Sequence, residues 1–288
     1  MTAEYLSLLD RVLTNGVPRR GEKPEGTLTI FGDQIKFDFK DGFPLITCRD
    51  MTGNWEKIIT REALWILSGS TSALEAEQKY GLSLWKRWAE DSRKKLGTPE
   101  GELGPVYGYQ LRHWNGRIDQ LTEVVNMLKE TPEKRRAVIS LWNLEDVEIG
   151  GIKKVNVANC ITNIQFARIL HQLPNGGYEE RLDMAMVHRS ADLPAGAPHD
   201  WAVWGLIQML VAQELGIPPG TLTGHINEGQ IYDLQTEQVK QLLERKPFQR
   251  PTVTIESSPL TRIDEHRPED FKLHNYQHHE RLYIPTAL

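Results

Sequence analysis

The chain has 288 residues, of which 39% are hydrophobic and 25% charged, and a formal net charge of -5. A chain of this length buries roughly three quarters of its unfolded surface, so a large core forms without metal or disulfide staples, and the composition is that of a soluble globular protein. The acidic balance lacks the basic excess that a phosphate backbone demands, which argues against a polynucleotide substrate and leaves small anions held by a few arginines.

In chain order, Glu4 to Leu13 has helical apolar spacing and stops at Asn15-Gly16. Thr27 to Phe39 alternates apolar and polar residues around Gly32-Asp33, the pattern of a paired strand and turn. Trp55 to Leu67 returns to helical spacing. Ser92 to Glu102, with Arg93-Lys94-Lys95 and Gly97-Thr98-Pro99-Glu100-Gly101, reads as a solvated loop insertion. Ile118 to Lys129 predicts a helix, and Ala137 to Trp142 a strand. Strands follow at Ile161 to Leu170 and Arg181 to His188, and Asn175-Gly176-Gly177 within Leu170 to Tyr178 signals a hairpin between them. Trp201 to Leu215 is so apolar that it predicts a buried helix, and Pro251 to Ile255 predicts a last strand. Strands and helices intermingle without strict alternation, which predicts an α+β fold. No internal repeat or Pro-, Gly- or Ser-rich linker divides the chain, so residues 1–288 are expected to form a single domain.

The two cysteines, Cys48 and Cys160, form neither a disulfide framework nor a zinc-ligand spacing, which predicts a reducing compartment and no metal. Met1 to Asp10 carries an early acid and lacks a basic region before a long apolar stretch, so no secretory signal is expected. Gly205 and Gln208 interrupt Ala202 to Ala212, which falls short of a membrane span. The expected location is the cytoplasm, with no membrane or nucleic-acid partner.

Several segments occur in a telling order along nearly the whole chain. They are Gly26-Thr-Leu-Thr-Ile-Phe-Gly32, Asp41-Gly-Phe-Pro-Leu-Ile-Thr47, Arg61-Glu-Ala-Leu-Trp-Ile-Leu-Ser-Gly69 and Leu103-Gly-Pro-Val-Tyr-Gly108, then Arg135-Arg136 ahead of Ser140-Leu-Trp-Asn143, Asn159-Cys-Ile-Thr162 and Arg189-Ser-Ala-Asp192. Together they resemble the thymidylate synthase family, which moves a one-carbon unit from 5,10-methylenetetrahydrofolate to carbon 5 of a pyrimidine nucleotide. The resemblance implies an α+β domain whose large mixed sheet packs against helices and against a second copy in a homodimer with shared active sites.

Carbon 5 of a pyrimidine is a poor nucleophile until a thiolate adds to carbon 6. Cys160 matches the family nucleophile, a role that calls for nearby positive charge. Glu62 matches the proton-relay glutamate and Tyr107 the tyrosine beside the nucleophile. Arg189 and Ser190 match phosphate ligands, while Arg135 and Arg136, projecting to opposite sides if extended, are expected to reach the partner's site. The early phosphate-loop arginine is missing, with Glu22-Lys23-Pro24-Glu25-Gly26 in its place. Lys23 is the substitute in this reading, or Arg19 or Arg20 after a local gap. Tyr232 matches the sugar-hydroxyl ligand, but Gln230 replaces the usual His near it. For the folate the resemblance implies Arg49, Trp85, Asp192, Gly196 and Ala287. Taken as residues alone, Trp85 and Trp88 read as core or helix-face packing. Pro285-Thr-Ala-Leu288 resembles a tail that closes over bound ligands. Cys48 stands where the family usually has Thr.

Asp200 is the most informative departure. Uracil presents an acceptor at position 4 and a donor at ring nitrogen 3, which one Asn amide satisfies; cytosine presents the reverse. A carboxyl at Asp200 accepts from the 4-amino group and shares a proton with ring nitrogen 3, as in the deoxycytidylate hydroxymethylase branch. The alternative for Asp200 is a helix N-cap ahead of Trp201-Ala-Val-Trp204. The expected product is 5-hydroxymethyl-dCMP. Other readings are a dCMP methyltransferase, a CMP hydroxymethylase, a thymidylate synthase acting on dUMP, and a catalytically silent nucleotide- or RNA-binding relative. Ile161 in the usual place of His is a further departure.

Overall fold

The computed structural model describes residues 2–20, 26–147 and 153–286. Helix α1 (Thr2–Asn15) opens the chain and turns Tyr5, Leu8, Leu9 and Val12 into the core, the spacing of one helical face. Strands β1 (Val17–Arg20) and β2 (Gly26–Asp38) follow, then the short helix α2 (Thr52–Asn54) and a wide π-type turn over Trp55–Ile59 that runs into α3 (Thr60–Ser68). Helices α4 (Ala73–Tyr80), α5 (Lys86–Leu96), α6 (Tyr107–Arg112) and α7 (Gln120–Glu130) lead to β3 (Val138–Ser140) and α8 (Leu144–Val147). Strands β4 (Ile161–Gln172), β5 (Tyr178–His188) and β6 (Ala191–Asp192) precede the long helix α9 (Ala197–Glu214). Strand β7 (Pro219–Tyr232), helix α10 (Thr236–Leu243) and strands β8 (Thr252–Ile255) and β9 (Phe271–His274) complete the order.

Among the described residues the large sheet has seven strands in the order β1-β2-β7-β5-β4-β3, with β6 added alongside β7. The β5–β7 and β6–β7 pairs are parallel and the others antiparallel, so the sheet is mixed, as the resemblance implies. Leu182, Met184, Met186 and His188 alternate as the buried residues of β5, the period of a strand covered on one face. Helix α9 lies in the core, with Trp201, Ala202, Leu206, Ile207, Leu210 and Val211 buried, as its continuous apolar pattern predicts.

Several expectations shift. Thr27 to Phe39 is not a strand and turn: β2 runs through Gly32, whose φ of 83° bends the strand while β7 pairs on both sides. Glycine adopts this left-handed geometry at little cost, and the alternation is the same for a bend and a turn. The supposed loop insertion is half helical, because Ser92 to Leu96 continue α5; Arg93, Lys94 and Lys95 fill its last turn, where cations suit the helix dipole. The hairpin at Asn175-Gly176-Gly177 forms as predicted, closed by the Leu173 amide and carbonyl pairing across the turn.

Candidate active site

Cys160 sits immediately before β4, half-buried and free of any disulfide. The loop that carries it is tied from several sides. Its amide donates to the Tyr107 hydroxyl at 2.8 Å, and the Ile161 amide reaches the same oxygen at 3.4 Å. The Arg189 amide donates to the Cys160 carbonyl at 2.9 Å, while the Arg189 guanidinium donates to the carbonyls of Asn159 at 2.8 Å and Ala158 at 3.0 Å. That guanidinium also lies over the Trp142 ring, 5.1 Å from its centroid. Asn159 is anchored in turn to the Leu141 carbonyl at 2.8 Å. Arg189 thus holds a fixed positive charge beside the cysteine loop, with Ser190 next to it at the end of β5. Burial, with Cys160 as the next cause, raises the Tyr107 phenol well above its ordinary pKa, so Tyr107 stays protonated.

Glu62 lies on α3 directly after the wide π-type turn, and only 8% of its surface is exposed. Trp85 donates its indole N–H to Glu62 Oε1 at 2.9 Å. Trp85 is also part of a run of ring contacts from Trp65 through Trp85 and Tyr107 to Trp204, so it packs in the core and lines the site at once. Burial pushes the Glu62 carboxyl up to about 8; the Asp200 carboxylate adds to the rise and the Trp85 hydrogen bond opposes it. A carboxyl that exchanges its proton near neutrality suits general acid and base work.

Asp200 falls in the first turn of α9, whose N-cap is Gly196, so the helix-cap alternative does not hold. Its side chain is 32% exposed and its Oδ2 lies 3.6 Å from Nε2 of the fully buried His188. The neighbouring His199 places Nε2 3.9 Å from Glu62 Oε2. Burial pushes His199 down to about 4, with Asp200 opposing and Arg49 assisting, so a neutral imidazole faces Glu62. Neither His188 nor His199 is itself picked out by a motif, although His188 falls in phase with the alternating buried row of β5. Each is simply the chain neighbour of a residue picked out by motif, Arg189 and Asp200.

Asp192 ends β6 and accepts from the Ala195 amide at 3.2 Å and from Gln235 Nε2 at 3.1 and 3.2 Å. The same Gln235 nitrogen donates to the Pro285 carbonyl at 2.8 Å, which ties the C-terminal tail to Asp192. Arg49 is buried and donates to the Pro194 carbonyl at 3.2 Å, so it supports the 192–196 turn from below. Across β6 and β7, Asp192 pairs with Gln230, whose amide donates to the Tyr232 hydroxyl at 3.0 Å. A methyl group added at Gly196 would meet only Asp192, at 3.7 Å or more, so the protein's own packing does not require this glycine. An aromatic ring at Trp85 and a held carboxylate at Asp192 suit a flat heterocycle that offers amine donors.

Arg135 and Arg136 are exposed in the turn before β3, not in an extended segment, so the expected opposite projection does not apply. The Phe166 amide bonds the Ala137 carbonyl, which places the pair alongside the middle of β4, roughly 20 Å from Cys160 at about 3.3 Å per strand residue. They do not join the site of their own chain. Arg19 is engaged by Glu228 at 2.6 Å. Lys23 and Ala287 lie outside the described residues. Among the described residues no group of three or more His, Cys, Asp or Glu side chains is placed to hold a metal, and no helix is long and apolar enough to cross a membrane. Cys160, Tyr107, Glu62, Trp85 and Asp200, far apart in the chain, converge near the start of β4 and the end of β5. The family model for thymidylate synthase matches residues 3–288, and the chain belongs to the thymidylate synthase family, whose members carry out folate-dependent one-carbon transfer to carbon 5 of a pyrimidine nucleotide.

Proposed function

We propose that the protein converts dCMP to 5-hydroxymethyl-dCMP, with residues 1–288 acting as one catalytic domain. The observation that carries this reading is the carboxyl of Asp200 in the first turn of α9, close enough to Glu62 and Tyr107 to raise both of their pKa values.

The Cys160 thiolate adds to carbon 6 of the cytosine, and the electron pair displaced onto carbon 5 forms the new carbon–carbon bond. Methylenetetrahydrofolate supplies the one-carbon unit at this point, with Arg49, Trp85, Asp192 and Gly196 as the residues that fit it. Carbon 5 gives up its proton to a base as the bond between the one-carbon unit and the folate nitrogen breaks and tetrahydrofolate departs with that electron pair, leaving an exocyclic methylene on the nucleotide. A water oxygen then adds to that methylene, the water gives up one proton, and elimination of the Cys160 thiolate from carbon 6 restores the ring. Arg189 and Ser190 receive the phosphate, and Tyr232 with Gln230 faces the sugar. Glu62, pushed up to about 8 by burial, takes or returns a proton close to neutral pH.

Two copies of the chain form the working unit in this reading, and each lends Arg135 and Arg136 to the other. Apolar side chains left open on the sheet strands support a second copy, among them Phe31 at 79% and Leu170 at 65% exposure. The tie from Gln235 to Pro285 favours one further reading, a sealed site that excludes water, in which hydride from tetrahydrofolate gives 5-methyl-dCMP and the folate is oxidised to dihydrofolate.

The test of base choice is Asp200→Asn. An amide restores the donor and acceptor pair that uracil needs, so the variant is expected to turn over dUMP and lose dCMP. Efficient dUMP turnover by the unaltered protein would contradict the proposal.

A further inference from the structure

A lone carboxyl does not by itself distinguish cytosine from uracil. In its protonated form it owns one donor and one acceptor, and moving the proton from one oxygen to the other exchanges their places. Oδ1–H with Oδ2 accepting reads one base; Oδ2–H with Oδ1 accepting reads the other. A site that prefers cytosine therefore needs a second group that fixes which oxygen carries the proton.

His188 is placed to be that group. It follows Leu182, Met184 and Met186 on the buried face of β5, a polar residue in the fourth place of an otherwise apolar row. Its backbone pairs with Ile161 of β4 and Ile226 of β7, so the ring is set in the middle of the sheet, beneath the first turn of α9. The side chain is 0% exposed, and neither ring nitrogen has a hydrogen-bond partner among the described residues. Buried imidazole nitrogens are normally satisfied, and leaving two unpaired is costly. The nearest carboxylate oxygen is Asp200 Oδ2, 3.6 Å from Nε2. That is too long for a hydrogen bond, but a shift of about 1 Å in the partly exposed Asp200 side chain closes it.

We propose that His188 is the positioning residue that locks the proton of Asp200 and so sets the preference for cytosine over uracil. Once Nε2 engages Oδ2, that oxygen has one role. With Nε2–H donating, Oδ2 carries no proton and Oδ1–H is the donor left for ring nitrogen 3, while Oδ2 still accepts from the 4-amino group; with Nε2 accepting, the one proton would go to the imidazole and none would remain for the base. The Nε2–H form therefore excludes the exchange by which a free carboxyl reads both bases. This inference rests on the cytosine reading of Asp200 given above.

The experiment is equilibrium titration of dCMP and of dUMP, each alone, into the wild type, His188→Phe and His188→Gln, with melting curves as a check of folding. Phe fills the space without a polar atom, and the Gln amide turns either its N–H or its carbonyl toward Oδ2 and so locks neither. Wild type is expected to prefer dCMP, and each folded variant to lose at least about tenfold of that preference, mainly through weaker dCMP binding. A purely structural role moves both affinities together and leaves the ratio unchanged. A wild type that prefers dCMP with a folded variant that keeps the ratio overturns the role of His188 alone. A wild type that does not prefer dCMP overturns the base reading and this inference with it. If His188→Phe fails to fold, the ratio for His188→Gln decides.

Discussion

Trp85 and Glu62 are joined across the wall of the site by a single hydrogen bond, indole Nε1 to carboxyl Oε1 at 2.9 Å. The tryptophan thereby holds in place a carboxyl that burial would otherwise make more basic still. Trp85→Phe removes the one contact that opposes the rise, so the Glu62 titration is expected to move upward from about 8. The corresponding limb of the pH dependence of kcat reports this; an unmoved limb would separate Glu62 from the rate.

The same shift makes stability depend on pH. Between 4.5 and about 8 the folded chain holds a proton on Glu62 that the unfolded chain has released, so this stabilisation is whole below 4.5 and is lost as pH rises toward 8. His199, lowered from 6.5 to about 4, has the opposite slope, and it acts only between those two values. Above 6.5 the Glu62 effect stands without that opposition, and the wild type is expected to lose on the order of 2 kcal/mol of it by pH 8. Urea titrations at the two pH values should show Glu62→Gln losing less over this interval. An equally steep fall in the variant would mean that Glu62 is not the group responsible.

Cys160→Ser keeps the shape of the site and removes the thiolate. Exchange of the carbon 5 hydrogen with solvent should fall on the order of 10⁴-fold or more, while nucleotide binding persists. Retained exchange would mean that another group adds to carbon 6.

Gln235 holds Asp192 and the Pro285 carbonyl with one nitrogen, and its Oε1 accepts from the Tyr232 amide at 3.0 Å. Gln235→Leu removes these hydrogen bonds at a cost of about 1 to 3 kcal/mol. KM for the folate should rise roughly 5- to 100-fold, with a smaller change in KM for the nucleotide. Equal changes in both would place Gln235 in general support of the fold.

If Arg135 and Arg136 complete the partner's site, two inactive proteins should rescue each other. Cys160→Ser mixed with an Arg135→Ala, Arg136→Ala double variant gives a heterodimer in which one site holds both an intact cysteine and intact arginines. Activity should appear on mixing and track subunit exchange. Persistent inactivity, with exchange verified, would place the arginines elsewhere.

Helices with a full apolar stripe were legible from spacing alone, as Glu4 to Leu13 and Trp201 to Leu215 show. Strand β7 was not, although it is the central partner of β2, β5 and β6. Its buried positions run Leu222, Gly224, Ile226, and the glycine breaks the apolar alternation because the Trp201 indole occupies that space: a methyl group at Gly224 would lie 3.1 Å from the ring nitrogen. The wide turn at Trp55–Ile59 likewise has no signal in a 3.6-residue pattern that continues unbroken into α3. In the site, Cys160, Glu62, Arg189 and Asp200 were legible through local motifs. His188 and His199 were not, because their interest lies in what sits across from them, and Gln235 is recognisable only once the tail and Asp192 are in place.

The most direct measurement is mass spectrometry of the products formed from methylenetetrahydrofolate and an equal mixture of dCMP, CMP and dUMP. A hydroxymethyl gain on dCMP alone is the predicted result and supports both Asp200 as the reader of the base and water as the terminal nucleophile. Product from dUMP alone would contradict the account at its centre.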